Sequence, residues 1–415
     1  MKNKENRRIS PAMVFILLFG VVSLLSDMTH EGAASIQGSY LSLIGASATT
    51  IGFISGLGEL LGYSLRYVFG KIADRTKKYW ALTIAGYLID TLVVPLMAFV
   101  GPHGWIWACV LLSIQRVGKA IKKPSKDTIL SFAATQEKVG KSFGIQEMLD
   151  QIGAFLGPLF LYVIMLFKVD SDTYRTYAFC FLLLLIPALA TIFMLLFTKH
   201  KFPNPENFEP QPKKREKFKM RASFVLYIAG ISLFALGFLD YSLIGMHITK
   251  VFVDAGSKII TSQTLPLIYS GAMIIDAISA LIFGRLYDRF GVLSLIIATA
   301  LSSIFSLFIF NFASVPMLLI GVALWGIGMG AQESIMKAVV TTMVPKDSRA
   351  TGYGIFECSF GLFGFLGSWL MGALYDTSII ALIVVSIAAQ ALSIPCYLIS
   401  YARKKKESDN SQVLI

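Results

Sequence analysis

The chain has 415 residues, of which 55% are hydrophobic and only 15% are charged, and its mean hydropathy is +0.68. This composition excludes an ordinary soluble domain, in which about a quarter of the residues are charged, and predicts a polytopic membrane protein. The net charge of +12 does not predict nucleic-acid binding, because most Lys and Arg residues fall in the termini and alternate loops, the positive-inside pattern.

The four cysteines lie inside apolar runs, at Cys109, Cys180, Cys358 and Cys396. This placement offers neither a disulfide framework nor the spacing of a zinc site. No phosphate-binding loop, nucleophile elbow or metal motif is present in the sequence either. We therefore expect no metal, no cofactor and no enzymatic activity.

Apolar runs of about 20 residues predict twelve transmembrane helices. Spans 1 to 6 are predicted at 11–33, 48–69, 80–100, 104–124, 142–166 and 176–198. Spans 7 to 12 are predicted at 222–246, 262–283, 292–313, 315–338, 351–374 and 378–401. The fold class is therefore an all-α polytopic membrane protein, with an N-terminal six-helix bundle at 1–198 and a C-terminal one at 222–402.

The polar segment 199–221 separates the two bundles. It contains four prolines and the basic run Lys213-Lys214-Arg215, so we expect a cytoplasmic linker. The tail 403–415 is also basic at its start. An even number of spans then places both termini in the cytoplasm, in a multi-pass protein of a plasma membrane or bacterial inner membrane.

Spans 1 to 3 contain ionisable residues, which are costly in hydrocarbon and usually face a bundle interior where they have a function. Asp27, His30 and Glu31 share one helical face of span 1, and we expect them in the outer half of the membrane. Glu59 lies near the middle of span 2 and Asp90 near the middle of span 3. We predict Asp27, Glu31, Glu59 and Asp90 as proton-coupling residues, with His30 as an alternative relay.

Span 4 is unusually basic. Arg116 and Lys119 fall on one face, with Arg116 near the predicted midplane, and we assign both to the cavity. Expected ion pairs are Arg116 or Arg66 with Glu59 or Asp27, and Lys119 or Lys122 with Glu147 or Asp150 of span 5. These pairs could also serve only to hold the helices together.

The second half has fewer charges. Its candidate cavity residues are Asp240 in span 7 and Gln332 and Glu333 in span 10, and Glu357 lies near the start of span 11. This asymmetry suggests that the first half carries the coupling and that the second half supplies much of the apolar wall.

A short polar stretch occurs twice, as GKIADRTKK at 70–78 and as GRLYDRFG at 284–291. Both copies follow the second span of their half. They resemble the loop between the second and third helices of the major facilitator superfamily, although Thr76-Lys77 replaces the usual Gly in the first copy. Other echoes, such as Gly144-Ile145-Gln146-Glu147 and Gly354-Ile355-Phe356-Glu357, extend the resemblance over nearly the whole chain.

The resemblance implies two pseudo-symmetric six-helix bundles, a central cavity and alternating access. It also implies cytoplasmic gate residues, namely Gly70, Asp74, Arg75, Gly284, Asp288, Arg289, Glu147, Asp150 and Glu357. In this pattern Asp74 would face the start of span 11 near 350–354, and Asp288 the start of span 5 near 140–144.

Span 5 contains Gly153-Ala154-Phe155-Leu156-Gly157-Pro158, which is similar to the motif of drug/proton antiporters but lacks its final glycine pair. We therefore expect a monomeric secondary transporter in the lipid bilayer that exports a small organic compound, its small-molecule substrate, in exchange for protons. Proton-linked uptake or exchange of an anionic solute is the alternative, and a receptor or scaffold that does not transport is a distant one.

Overall fold

The computed structural model describes residues 10–134, 139–167, 172–205, 220–344 and 349–413, and within these ranges the regular structure is helical, without strands. The first half contains α1 (Pro11–Leu43), α2 (Ala48–Thr76), α3 (Tyr79–Leu96), α4 (Trp105–Ala134), α5 (Val139–Phe167) and α6 (Thr173–Lys201). The second half contains α7 (Ala222–Val253), α8 (Leu265–Phe290), α9 (Val292–Phe310), α10 (Val315–Met336, continued by Lys337–Met343), α11 (Arg349–Thr377) and α12 (Ile379–Val413).

Ten helices in the described part of the chain are long and apolar enough to cross a membrane. The other two, α2 and α4, are of similar length but carry several charged residues. They pack against α11 and α3, and their charged side chains include residues that line an internal cavity. The prediction of an all-α, multi-pass membrane protein is confirmed.

The helices run beyond the predicted apolar runs at several ends. Helix α1 continues ten residues past its predicted end to Leu43, so Asp27 lies at the middle of the helix and not in its outer half. Helices α2 and α8 continue through the repeated stretch to Thr76 and Phe290. The repeated stretch therefore forms the last turns of a helix. Its polar side chains do not interrupt the backbone hydrogen bonds of the helix.

The two copies of the repeated stretch end differently. Lys77 follows α2 in the left-handed conformation, at φ 56°, and Gly291 follows α8 at φ 58°. A positive φ is unfavourable for a residue with a Cβ atom and costs glycine nothing comparable. Lys77, at which the first copy departs from the family pattern, therefore takes a positive φ as Gly291 does, but ψ differs, at 14° for Lys77 and −134° for Gly291.

The two ends of the bundle are named here after the predicted topology. The inner end carries the start of α1, which contacts the end of α6 through Phe15 and Phe202, and the end of α12, where Glu407 accepts a hydrogen bond from Ser223. The outer end carries the turn between α1 and α2. The linker residues 206–219 lie outside the described residues. The predicted linker at 199–221 and the predicted tail at 403–415 both stay predictions.

The two halves contact each other directly at the outer end. The Cα of Gly38 in α1 lies against the backbone of Ser242 in α7. Ser39 donates to the carbonyl of Gly245 at 3.1 Å and accepts from the Thr249 hydroxyl at 2.6 Å. The Asp376 carboxylate at the end of α11 accepts from the backbone N–H of Thr49 at the start of α2, at 2.8 Å. These contacts close the outer end.

Helix α7 is discontinuous. Its first part ends at Gly237 and its second begins at Tyr241, with Asp240 as the N-cap that accepts from the Ser242 N–H at 2.8 Å. The carbonyl of Gly237 accepts from the Ser386 hydroxyl at 2.7 Å, and the carbonyl of Leu239 accepts from the Trp325 indole at 2.9 Å. Side chains thus satisfy the backbone groups that the break releases, as the membrane interior requires.

Candidate functional site: the central cavity

A cavity of about 270 Å³ lies between the two halves. The first half contributes side chains from α1, α2, α3, α4 and α6, and the second half from α7, α8, α10 and α11. Of the predicted site residues, Glu31, Glu59, Arg116, Lys119, Asp240 and Gln332 all line this cavity. The structure therefore brings together residues that lie up to about three hundred positions apart.

The charged wall comes mainly from the first half. Arg116 donates to Glu59 at 2.8 Å, which is one of the expected pairs. Both side chains are partly exposed, at 24% and 32%, so the pair faces the cavity and is not sealed in the protein core. Closer to the inner end, Arg66 approaches Glu357 at 3.5 Å and stacks over the ring of Tyr63.

Three other charges face the cavity without an ion pair within the part of the chain that the structure describes. Glu31 accepts from the Tyr269 hydroxyl at 2.6 Å, and Asp240 accepts only from the backbone of its own helix. The third is Lys119, which lies in the electrostatic range of Glu31, Glu59 and Arg116. These side chains retain hydrogen-bonding capacity for a group inside the cavity.

The second half supplies an aromatic wall. The indole of Trp325 stacks on Phe238 with 5.9 Å between ring centroids and 13° between the planes. Tyr241 packs against Trp325 and, at 4.3 Å between centroids, against Tyr269. The bond from Trp325 to Leu239 and the bond from Tyr269 to Glu31 fix two of these rings.

Asp90 lies in a separate, fully buried cluster behind the cavity wall. The His30 imidazole bonds to one carboxylate oxygen at 2.7 Å, and the Gln115 amide donates to the other at 3.2 Å. Lys122 forms an ion pair with Asp90 and donates to Ser26 at 2.9 Å. Since His30 and Gln115 also line the cavity, this cluster connects the cavity to the core of α1, α3 and α4.

The expected pair of Lys119 or Lys122 with Glu147 or Asp150 does not form among the described residues. Lys122 pairs with Asp90 and not with Glu147 or Asp150, because Gly86 and Gly118 let the backbones of α3 and α4 approach closely. One turn further along α4, Lys126 is the residue that approaches Asp150, at 3.8 Å. His30, expected near a helix end, is buried at mid-helix because α1 is longer than predicted.

The remaining site predictions fall elsewhere. Asp27 lies one turn before His30, in the electrostatic range of Asp150 and Lys126. Glu333 belongs to the π-helical turn Gln332–Met336, and its side chain lies outside the described residues. The predicted gate residues Asp74, Asp288 and Glu147 are exposed, and so are Arg75 and Arg289. Gly70 and Gly284 lie near the inner ends of α2 and α8.

The partners predicted for Asp74 and Asp288 lie partly outside the described residues. The structure does not describe 345–348, and it describes no side chains for 140–144 or for 349–351. The proposed contacts of the two aspartates with the starts of α11 and α5 therefore stay predictions.

Sequence reasoning missed Gln115, Phe238, Tyr269 and Trp325. Their residue types are unremarkable in an apolar helix, and only the fold brings them to one cavity. The break in α7 did have a signal, since Gly237 is followed by Asp240 and then Ser242, the pattern of an Asp N-cap. For the Asp90 cluster the signal was a glycine one turn before each partner, at Gly86 and Gly118.

Comparisons with known sequences and structures agree with this architecture. An uncharacterized protein of Mycobacterium tuberculosis is 37% identical over 386 residues, covering 92% of this chain and 91% of the relative. An uncharacterized MFS-type transporter of Methanocaldococcus jannaschii is 29% identical over 385 residues, covering 91% and 92%.

Solved structures share the fold at low sequence identity. A POT family transporter in complex with 5-aminolevulinic acid has a TM-score of 0.73 at 13% identity, over 94% of this chain and 96% of that one. The nucleoside transporter NupG has a TM-score of 0.67 at 14% identity, over 94% and 98%. A bacterial homolog of the human lysosomal transporter Spinster, inward-facing and unoccupied, has a TM-score of 0.67 at 14% identity, over 95% and 96%.

The family model described as Major Facilitator Superfamily matches residues 9–256 and 241–413, and so covers the chain from the start of α1 to the end of α12. Twelve long helical segments within the described ranges, a cavity lined by both halves and the twice-repeated stretch at the inner end accompany this match. The chain belongs to the Major Facilitator Superfamily of membrane transporters.

Proposed function

We propose that the chain exports a small organic compound in exchange for protons, by alternating access between its two halves. The observation that carries this proposal is the Arg116–Glu59 pair, which faces a cavity lined by both halves. A proton on Glu59 would cancel the charge that holds Arg116. The pair would then separate, and its state would depend on the side from which protons reach the cavity.

In this proposal the cavity alternates between two states that differ in their gates. The structure corresponds to the state with a closed outer end, held by Gly38 against Ser242 and by Asp376 on Thr49. Asp74 and Asp288 would close the inner end in the opposite state, since a carboxylate at a helix N-terminus is favoured by about 0.3–1 kcal/mol. Their exposure in the present state is compatible with that role.

Export is favoured by α5, whose Gly153 and Gly157 lie against the backbone of Leu24 and Met28 in α1. This close contact is what the glycines of the antiporter-like stretch would provide. The proposed partners are protons and a small-molecule substrate, and a monomer suffices because one chain lines the whole cavity. Lys119, which lacks an ion pair among the described residues, favours a second candidate, proton-linked uptake or exchange of an anionic solute.

The experiment uses proteoliposomes that enclose the pH-sensitive dye pyranine, with a library of organic compounds added outside. A compound that exchanges for protons makes the lumen more alkaline as it enters, whereas a compound that enters together with protons acidifies it. The first outcome supports exchange. Acidification supports proton-linked uptake, and no pH change with any transported compound would contradict proton coupling.

The role of the ion pair is tested in the same vesicles. Arg116→Ala should destabilise the protein, by less than the 3–5 kcal/mol typical of a fully buried pair, because it leaves Glu59 uncompensated. The double variant Arg116→Ala/Glu59→Ala should fold, yet transport should no longer respond to a pH gradient. The partly exposed pair of Lys123 and Asp127 on α4 provides a matched double-alanine control. Wild-type pH dependence in the Arg116→Ala/Glu59→Ala variant would exclude the proposed coupling.

A further inference from the structure

The charges that face the cavity do not all neutralise one another. Two pairs are internal, Arg116 with Glu59 and Arg66 with Glu357. After these are set aside, one cation and two carboxylates remain without an ion pair in the part of the chain that the structure describes, namely Lys119, Glu31 and Asp240. A cavity built only for an organic cation would not need Lys119, and one built only for an anion would not need both carboxylates.

The two carboxylates lie beside the aromatic wall. Glu31 accepts from Tyr269 at 2.6 Å, and Tyr269 packs edge-on against Tyr241, the residue that follows Asp240 in the chain. Each carboxylate accepts one hydrogen bond from a neutral donor, Glu31 from the Tyr269 hydroxyl and Asp240 from the Ser242 N–H. The second oxygen of each carboxylate can accept a hydrogen bond from another donor. An ammonium group placed there would meet negative charge and the faces of electron-rich rings, both of which attract cations.

Lys119 forms the positive region of the cavity. It lies one turn from Arg116 on α4, and it interacts electrostatically with Arg116, Glu31 and Glu59 without forming an ion pair with any of them. An ammonium has three donors and no acceptor, so the complementary ligand group is an anion such as a carboxylate. Because Lys119 and the carboxylates face one cavity yet stay apart, a single ligand carrying both charges could contact both.

We propose that the cavity binds a zwitterionic organic compound with an aromatic ring. Its anionic group contacts Lys119, its cationic group contacts Glu31 and Asp240, and its ring lies on the wall formed by Phe238, Tyr241 and Trp325. This inference rests on the proposed transport function and specifies the substrate class of the same cavity. It leaves the Arg116–Glu59 pair for coupling.

Binding is measured on the purified full-length protein in detergent, by thermal unfolding at increasing ligand concentration, since a ligand of the folded state raises the unfolding temperature. The zwitterionic probes are L-phenylalanine and aminomethylbenzoate, which differ in the separation of their charges. Matched controls are phenethylamine without the carboxylate, phenylpropionate without the amine, and cyclohexylalanine without the aromatic ring. At least one zwitterionic aromatic probe should stabilise the protein at lower concentration than every control.

Two variants test the assigned contacts. Lys119→Gln should weaken binding of the zwitterion by about tenfold or more, the size expected for a charge-assisted hydrogen bond, and should not weaken binding of phenethylamine. Asp240→Asn should weaken binding of the zwitterion and of phenethylamine while leaving binding of phenylpropionate unchanged. The substitution should not disturb the helix, because asparagine is also a good N-cap residue. Lys123→Gln, on the same helix and 41% exposed, is the control for the lysine substitution and should change nothing.

Several outcomes would overturn the proposal. If phenethylamine binds more strongly than both zwitterions, this is an organic-cation site, and if phenylpropionate does, it is an anion site. If neither zwitterion stabilises the protein, a zwitterionic aromatic ligand is excluded. The measurement needs no membrane or gradient, so it is independent of the transport proposal. A zwitterion that binds but moves no protons would contradict the coupling alone.

Discussion

Asp90 shows how much a buried charge depends on its neighbours. Its carboxylate is fully buried and is surrounded by Lys122, His30 and Gln115. The sequence predicted a functional carboxylate here from its depth in span 3, but it could not predict the partners. These depend on how closely α3 and α4 approach, which Gly86 and Gly118 determine. The Arg116–Glu59 pair was predictable because both residues lie at mid-depth on adjacent polar helices.

Replacing Lys122 by methionine tests the buried cluster. Lys122→Met removes the cation and leaves Asp90 with two partners, so we expect a loss of about 3–5 kcal/mol of stability, the usual cost of breaking a buried pair. The measurement is thermal unfolding together with monodispersity in detergent.

Lys123→Met on the next position is the control for this substitution. Lys123 is partly exposed and forms an i,i+4 pair with Asp127, which is worth about 0.3–0.5 kcal/mol. Equal unfolding temperatures for the two variants would show that Lys122 does not compensate Asp90.

At the scale of elements, the crossing of α1 and α7 closes the outer end. The predicted spans included both helices but neither their crossing nor the break in α7, because span 7 was interpreted as one helix across 237–241. Gly38 lies after the predicted end of span 1 at residue 33, so its place in a helix crossing was not predicted. In the structure any Cβ at this position would overlap the Ser242 carbonyl, so the contact requires glycine.

Gly38→Ala should therefore separate the two helices and shift the population away from the outer-closed state. Distances between spin labels at the outer ends of α1 and α7 should lengthen, and labels at the inner end should approach. Gly271→Ala in α8 is the matched control, since nothing lies within 4 Å of a Cβ there. Unchanged distances in Gly38→Ala would mean that this crossing does not hold the gate.

At the scale of the whole molecule, the order and number of helices followed from hydropathy and from the repeated stretch. The cavity was predicted only in part, because its charged residues were recognised in the sequence and its aromatic wall was not. Orientation in the membrane remains a prediction from the distribution of Lys and Arg. The inner end should be cytoplasmic.

An amine reagent that does not cross membranes tests this orientation in sealed cells. Lys77 and Lys404 at the inner end, and Lys213 in the linker outside the described residues, should be modified only after the membrane is opened. Lys258, exposed on the connection between α7 and α8, should be modified from outside and serves as the control. Modification of Lys77 in sealed cells would reverse the topology.

The discontinuity of α7 bears on which parts of the molecule can move as rigid bodies. The short segment from Tyr241 to Val253 is joined to its own bundle through the extended residues Phe238–Asp240, and it is hydrogen-bonded to α1 through Ser39. Rotation at three residues without helical hydrogen bonds would break fewer bonds than separating this segment from α1. The mechanical boundary between the moving bodies would then pass through α7, about twenty residues after the linker at which the sequence divides the two halves.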